Sequence, residues 1–281
     1  MRETILEVKD LCFSYDGEKN ALSHISLAVK RGERIAVLGA NGAGKSTFFL
    51  HLNGVRTADA GEIYLEGEKI SKGQQKNLRK KVGIVFQDAD SQMIASSVKA
   101  EVAFGPLNQK LPKEEVEQRT KEAISYMNLE GYEARPPHLL SGGEKKRVSI
   151  ADIIAMKTEI IIFDEPTACL DPVSAAMLED VLGRLQEAGK TILLSTHDID
   201  FAYRFAERIL VFSNGTIIGD GTPQEIFQNE KILAEANLKK PMLLEVYEML
   251  LKNQLIEEQD TYPKTTEELQ TALEKKRKDG R

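Results

Sequence analysis

"RIAVLGANGAGKST", Arg34–Thr47, is the stretch on which the fold turns. Its first half, 34–40, is an apolar run that ends at glycine, the form of a buried strand feeding a loop. Its second half satisfies G-x-x-x-x-G-K-[ST] from Gly39 to Ser46, and a helix-compatible run follows. The loop residues Gly39, Asn41, Gly42, Ala43 and Gly44 can close backbone N–H groups around phosphates. Lys45 can then reach the β- and γ-phosphates, and the Ser46 hydroxyl can ligate Mg2+, with Thr47 closing the motif. An ordinary glycine-rich turn is the competing reading. The strand before the motif and the helix after it argue against that reading.

Other runs share the strand form. "VGIVFQ" ends at Gln87, "EIIIFDE" ends in Asp164 and Glu165, and "TILLSTH" ends at His197. Buried strands alternating with helix-compatible segments imply an α/β fold with a parallel sheet. Ligands in such sheets bind at the carboxyl ends of the strands, where all four of these polar residues fall. Two adjacent carboxylates beside a metal divide naturally: Asp164 serves the Mg2+ shell, and Glu165 accepts a proton from attacking water. His197 can contact a γ-phosphate or be a satisfied core histidine. Gln87 can contact metal or water, or cap a turn.

Outside this set, 5–15, 22–30 and 61–67 read as strands, and "RILVFSNGTIIGDG" as a hairpin turning at Asn214-Gly215. Between Gln87 and Ile160 the pattern turns helical, with 113–128 carrying a sparse apolar face. "LLSGGEKKRVSIADIIA", Leu139–Ala155, opens a helix with a serine cap and two glycines, a second end suited to anions. The tail from about 231 is helical and charged. It carries an amphipathic "PMLLEVYEMLLKN", a capping box at Thr265 and Glu268, and a basic cluster at 275–278 that suits either an acidic partner or a solvated, frayed end.

The 281 residues, 41% hydrophobic and 29% charged, suit one globular domain with a small appendage. A net charge of -6 speaks against a nucleic-acid partner. No apolar run is long enough to span a bilayer, and "MRETILEVKD" does not read as a signal peptide. Two cysteines, Cys12 and Cys169, form no disulfide or metal pattern in the sequence, so a cytosolic protein with reduced thiols is expected.

"GANGAGKST", "FQD", "LSGGEKKRV", "IIIFDEPTACLD" and "STHD", in this order, resemble the ATPase subunits of ABC transporters over roughly residues 5–228. The resemblance implies a P-loop ABC ATPase core, a parallel sheet plus an antiparallel β subdomain. It places this core in 1–230, with a helical subdomain at about 88–158, and a C-terminal helical extension in 231–281. It implies a Walker A loop at Gly39–Thr47, a Q-loop at Gln87 and a signature at Leu140–Glu144. Walker B is then Ile160–Asp164 with catalytic Glu165, the D-loop Ala168–Asp171, and His197 the switch residue. Tyr15 takes the place of the aromatic residue that stacks on adenine. Two subunits are implied to face head to tail, with Ser141, Gly142 and Gly143 of one capping the γ-phosphate held by the other. Asp171 joins this nucleotide-binding set.

"FQDADSQMIASSVKAEVAFGPLN" is similar to energy-coupling factor importers, and "LSGGEKKRV" and "THDID" to the cobalt and nickel subgroup. The implied partners are a second ATPase subunit, identical or paralogous, an integral membrane coupling subunit and an integral membrane substrate-binding subunit. The implied place is peripheral, on the cytoplasmic face of the cell membrane. Vitamin-importing relatives more often carry Gln at position 144. A soluble ABC ATPase acting on nucleic acid or ribosomes is the alternative of another class. Against it stand the single cassette and the short gap between Walker A and signature. Ala89 and Cys169 depart from the usual Pro and the usual small D-loop residue. Cys169 can be a redox-sensitive interface residue or inert packing.

Overall fold

The apolar runs become strands because each is covered on both faces. The computed structural model describes residues 2–279 other than 72, 90, 91, 169 and 260, and only the backbone of 276–279. Strands β1 (Thr4–Ser14) and β2 (Asn20–Lys30) pair antiparallel. Next come β3 (Arg34–Leu38), α1 (Lys45–Leu52), β4 (Ala60–Leu65), β5 (Glu68–Lys69), α2 (Gln75–Lys81) and β6 (Val82–Val85). Three helices follow, α3 (Val98–Asn108), α4 (Lys113–Tyr126) and α5 (Gly142–Ala155), with a 3-10 turn at Pro137–Leu139. The core then closes through β7 (Ile160–Asp164), α6 (Pro172–Glu187), β8 (Thr191–Ser195), α7 (Ile199–Phe205), β9 (Arg208–Ser213) and β10 (Thr216–Gly221). The tail is α8 (Pro223–Gln228), α9 (Glu230–Ala236), α10 (Met242–Lys252) and α11 (Thr266–Asp279).

One sheet has the order β2-β1-β4-β5 and is antiparallel. The other has the order β10-β9-β3-β8-β7-β6, parallel from β9 to β6 with β10 antiparallel at its edge. Side chains of a strand alternate between faces, so double coverage demands an unbroken apolar run. Ile35, Val37, Ile160, Ile162, Leu193 and Leu210 pack with Phe48 and Phe49 of α1 and with the antiparallel sheet. Ala36, Leu38, Ile161, Phe163, Ile192 and Leu194 pack instead with Val148 of α5 and Leu182 of α6. Strand β3 therefore lies between two cores, and its carboxyl end opens where they meet.

The hairpin turns at Asn214 (φ 48°) and Gly215 (φ 77°), the left-handed pair that a type I′ turn requires. Helix α2 carries no amphipathic stripe, because Leu78 is its single buried residue, and the sequence pattern does not announce it. Helices α10 and α11, with Ile256 of the segment between them, build a satellite core of Tyr247, Ile256, Leu269 and Ala272. Met242 N–H donates to Asp200 Oδ1 at 2.7 Å and Lys264 Nζ to the Ala206 carbonyl at 2.7 Å, which anchors this pair on the sheet domain. The Thr265–Glu268 box forms by half. Glu268 N–H donates to Thr265 Oγ1 at 3.2 Å, but the Glu268 carboxylate accepts from Lys264 N–H at 2.6 Å, one residue before the expected donor. Of the basic cluster 275–278, the side chains from 276 onward lie outside the described residues.

Candidate active site

The loop after β3 is shaped by glycines that nothing else could replace. A Cβ at Gly39 (φ 142°) would stand 2.3 Å from the Phe212 carbonyl oxygen. A Cβ at Gly44 (φ 105°) would stand 2.8 Å from that of Ala21. Gly44 also precedes α1, so the loop ends at a helix N-terminus. Asn41, Gly42 and Ser46 are exposed there, while Ala43 is buried. Lys45 is buried and donates to the Gly39 carbonyl at 2.7 Å and to that of Ala40 at 3.2 Å. Burial lowers its pKa, against the raising pull of Glu165 and Asp164.

Across from the loop, Asp164 ends β7 and is buried. Its Oδ1 accepts from Ser195 Oγ at 2.6 Å, and the same Oγ accepts from Glu165 N–H at 2.9 Å. Ser195, at the end of β8, thus fixes both carboxylate residues, a role its place before Thr196 and His197 does not reveal in sequence. Glu165 has φ 46°, so the chain turns sharply there and presents the side chain at the strand ends. Its Oε1 lies 2.8 Å from His197 Nε2 and 3.9 Å from Lys45 Nζ. His197 Nε2 also lies 2.9 Å from Asn41 Oδ1. Two oxygen acceptors around one nitrogen set the tautomer with the proton on Nε2. The structure thus brings Asn41, Lys45, Asp164, Glu165 and His197 together, with Ser195 as the unforeseen member.

Tyr15 stands at the rim, 57% exposed, its hydroxyl 3.0 Å from Thr47 Oγ1. The Arg56 guanidinium sits 4.5 Å from its ring centroid and Phe13 meets it edge-on at 5.0 Å. Arg56 was also not foreseen, since a lone Arg in a loop carries no pattern.

Ser141 caps α5 through a full capping box: Oγ accepts from Glu144 N–H at 3.3 Å, and Glu144 Oε2 accepts from Ser141 N–H at 2.7 Å. This bond to the Ser141 amide lowers the pKa of Glu144. Ser141 and Gly142 are exposed. Gly143 faces α6, where an added Cβ would stand 2.7 Å from Ser174 Oγ. Asp171 caps α6, accepting from the Val173 and Ser174 N–H groups at 3.0 Å each. Cys169 lies outside the described residues.

Gln87 is exposed just past β6. Its carbonyl and that of Phe86 each accept from Lys146 Nζ of α5 at 2.8 Å, a link between signature helix and Q-loop absent from the sequence reading. Beside it runs a groove of about 530 Å³ lined in part by Phe86, Gln92, Phe104, Asn108 and Asp152. Met93, in contrast, is partly buried against the core and does not line the groove. Glu101, buried on α3, accepts from the Ile94 and Ala95 N–H groups at 3.0 and 2.6 Å and so ties down the segment before the helix.

Burial pushes the Asp152 carboxyl up to about 7, helped by the charge of Glu101 and opposed by the Gly105 N–H. The native state therefore holds this proton where the unfolded chain has released it. Stability falls as pH rises from about 4 and levels off above 7. Asp152→Asn abolishes that slope. Between pH 5 and pH 8 the mutant gains roughly 2–3 kcal/mol on the wild type, about 5 °C in unfolding midpoint. Thermal unfolding of both proteins at the two pH values measures the gap, and an equal midpoint difference at both refutes the assignment.

A glycine loop on a buried strand, facing two carboxylates and a histidine at neighbouring strand ends, defines a P-loop nucleotide hydrolase. The chain belongs to the ABC transporter family, whose pattern it matches over residues 22–168. It is an ABC-type ATPase of the energy-coupling factor kind. A relative described as an ABC transporter ATP-binding protein of Methanosarcina acetivorans is 52% identical over 88% of this chain and 76% of its own length. The energy-coupling factor transporter ATP-binding protein EcfA of Methanocaldococcus jannaschii is 48% identical over 88% of this chain and 90% of its own. Among solved structures, cbiO1 of Clostridium perfringens, part of the ABC transporter complex cbiONQ, superposes with a TM-score of 0.74 at 36% identity. It covers 89% of this chain and 99% of its own.

Proposed function

We propose that this chain is the motor of an energy-coupling factor importer that carries cobalt or nickel ions. The carrying observation is the contact of His197 with both Glu165 and Asn41, with Glu165 in turn facing Lys45 of the loop. This arrangement puts a proton acceptor beside the end of the phosphate cradle. In this reading the backbone amides of the loop and Lys45 hold the phosphates. Glu165 takes the proton from water, and His197 orients Glu165 through Nε2. Ser46 and Asp164 are hard oxygen donors suited to Mg2+, which neutralises phosphate charge when bound. Ser195 keeps Asp164 in place for it. Tyr15, flanked by Arg56, receives the adenine ring, and Gln87 reports on the site from the end of β6.

The partners follow from the relatives, which are named as parts of transporters. No helix among the described residues is long and apolar enough to cross a membrane, so the membrane path belongs to other subunits. The groove beside Gln87, with Phe104 42% exposed, receives a cytoplasmic helix of the coupling subunit. A second ATPase chain supplies Ser141–Gly143 and Asp171 to the nucleotide held here. Residues 1–230 act as the ATPase domain, with 88–158 as its helical subdomain, and 231–281 as an added helical element. The cargo assignment rests on the likeness of "LSGGEKKRV" and "THDID" to the cobalt and nickel subgroup.

The test is to isolate the complex from membranes through a tag on this chain, identify its partners and measure uptake. Membrane subunits that import cobalt or nickel are expected. Subunits that import a vitamin overturn the cargo, and copurifying nucleic acid without membrane protein overturns the motor. Phe104→Asp is expected to cut the yield of membrane partners at least fivefold while ATP binding stays unchanged. Met93→Asp is the poorer probe, because that side chain packs on the core.

A further inference from the structure

The antiparallel sheet carries a second cluster of reactive side chains, away from the phosphate loop. Val8 pairs with Leu27, Leu11 with Ile25 and Phe13 with Leu22, so the register slips twice. Between the first two pairs β1 has two residues, Lys9 and Asp10, opposite Ser26 alone. Between the last two, β2 has two residues, Ser23 and His24, opposite Cys12 alone. These are two bulges on opposite strands, flanking one pair. Bulges re-aim side chains. Here Asp10 (φ 51°) and His24 (φ 55°) both adopt the left-handed conformation, and both turn toward Cys12.

One carboxylate oxygen of Asp10, Sγ of Cys12 and a ring nitrogen of His24 all lie within 4.8 Å of one another. His24 Nδ1 and Asp10 Oδ1 are 2.6 Å apart. A tetrahedral ion with ordinary Zn–S, Zn–N and Zn–O bonds sets such donors about 3.4–3.6 Å apart. The cluster reaches that spacing with side-chain shifts of about an ångström. Exposed side chains, 74% for His24 and 69% for Asp10, are free to make them.

We propose that Asp10, Cys12 and His24 bind a divalent transition-metal ion of the Zn2+ class, with solvent completing the coordination. Thiolate plus imidazole selects such an ion over Mg2+ or Ca2+. Three protein ligands with an open fourth position suit an exchangeable ion. The site clamps β1 to β2 just before Tyr15. The Cys12 carbonyl accepts from Asp59 N–H at 3.0 Å, and Asp59 Oδ2 accepts from Ser14 N–H at 2.8 Å, so the clamp is continuous with the segment that carries Tyr15.

The probe is Co2+, titrated into metal-stripped full-length protein with excess Mg2+ and a non-thiol reductant. One equivalent is expected to give a thiolate-to-cobalt charge-transfer band with the visible bands of a tetrahedral site, and Zn2+ is expected to bleach both. Cys12→Ser removes the charge-transfer band. His24→Gln and Asp10→Asn each weaken Co2+ binding at least tenfold. Cys169→Ser keeps the band. The far-ultraviolet circular dichroism of each variant confirms its fold. A spectrum without a saturable thiolate band, a band that survives Cys12→Ser, or full affinity in both His24→Gln and Asp10→Asn overturns the site.

Discussion

Glu165→Gln leaves ATP binding intact and lowers hydrolysis by roughly 10²-fold or more. That loss corresponds to about 2.7 kcal/mol or more of transition-state stabilisation. The substitution keeps the size of the side chain and an oxygen that can accept from His197 Nε2, which lies 2.8 Å away in the native protein. What disappears is the capacity to take a proton, together with the ion pair to Lys45 at 3.9 Å. On the proposed reading the loop amides and Lys45 make the cradle, so binding is expected to survive. The mutant therefore accumulates ATP in closed dimers, measurable as nucleotide that remains after gel filtration. Turnover near the wild-type rate would reject Glu165 as the base.

In mixed dimers carrying Lys45→Ala in one chain and Ser141→Arg in the other, with Glu165→Gln in both, one ATP is occluded per dimer. Either homodimer occludes almost none. The geometry makes the two lesions separable. Lys45 is buried and touches the loop carbonyls, whereas Ser141 is exposed at the tip of α5. Losing the Ser141 cap costs about 1 kcal/mol, too little to unfold the chain, while the added arginine obstructs an anion at the helix end. Action of the signature across the interface leaves one site with a sound loop and a sound signature. Action within a chain leaves none. Isolated mixed dimers without occluded nucleotide overturn the assignment of Ser141–Gly143 to the partner's phosphate.

The strands of the nucleotide sheet were legible because double coverage makes every residue of Ile160–Phe163 or Ile192–Leu194 apolar, which is a strong local pattern. The phosphate loop was legible because its glycines answer to steric limits, as at Gly39 and Gly44. Other residues were hidden for one reason. Ser195, Arg56 and Lys146 act through partners 30 to 60 positions away, and no local spacing records such a pairing. The metal-ligand triad stayed hidden because two register slips bring Asp10, Cys12 and His24 together. Met93 was equally illegible: an apolar residue in a segment with several exposed neighbours packs against the core.

Lys146 stands five residues beyond Ser141 on α5, a rise of about 7.5 Å. Its ammonium grips two successive peptide carbonyls at the end of β6. A hydrogen bond tolerates only about half an ångström of stretch before it weakens. A larger displacement of the strand end draws the flexible Lys146 stem with it, and beyond the reach of that stem it must pull on α5 or break both bonds. The groove and the helix tip are therefore joined by a tether with some slack, and a single ammonium group is its hook.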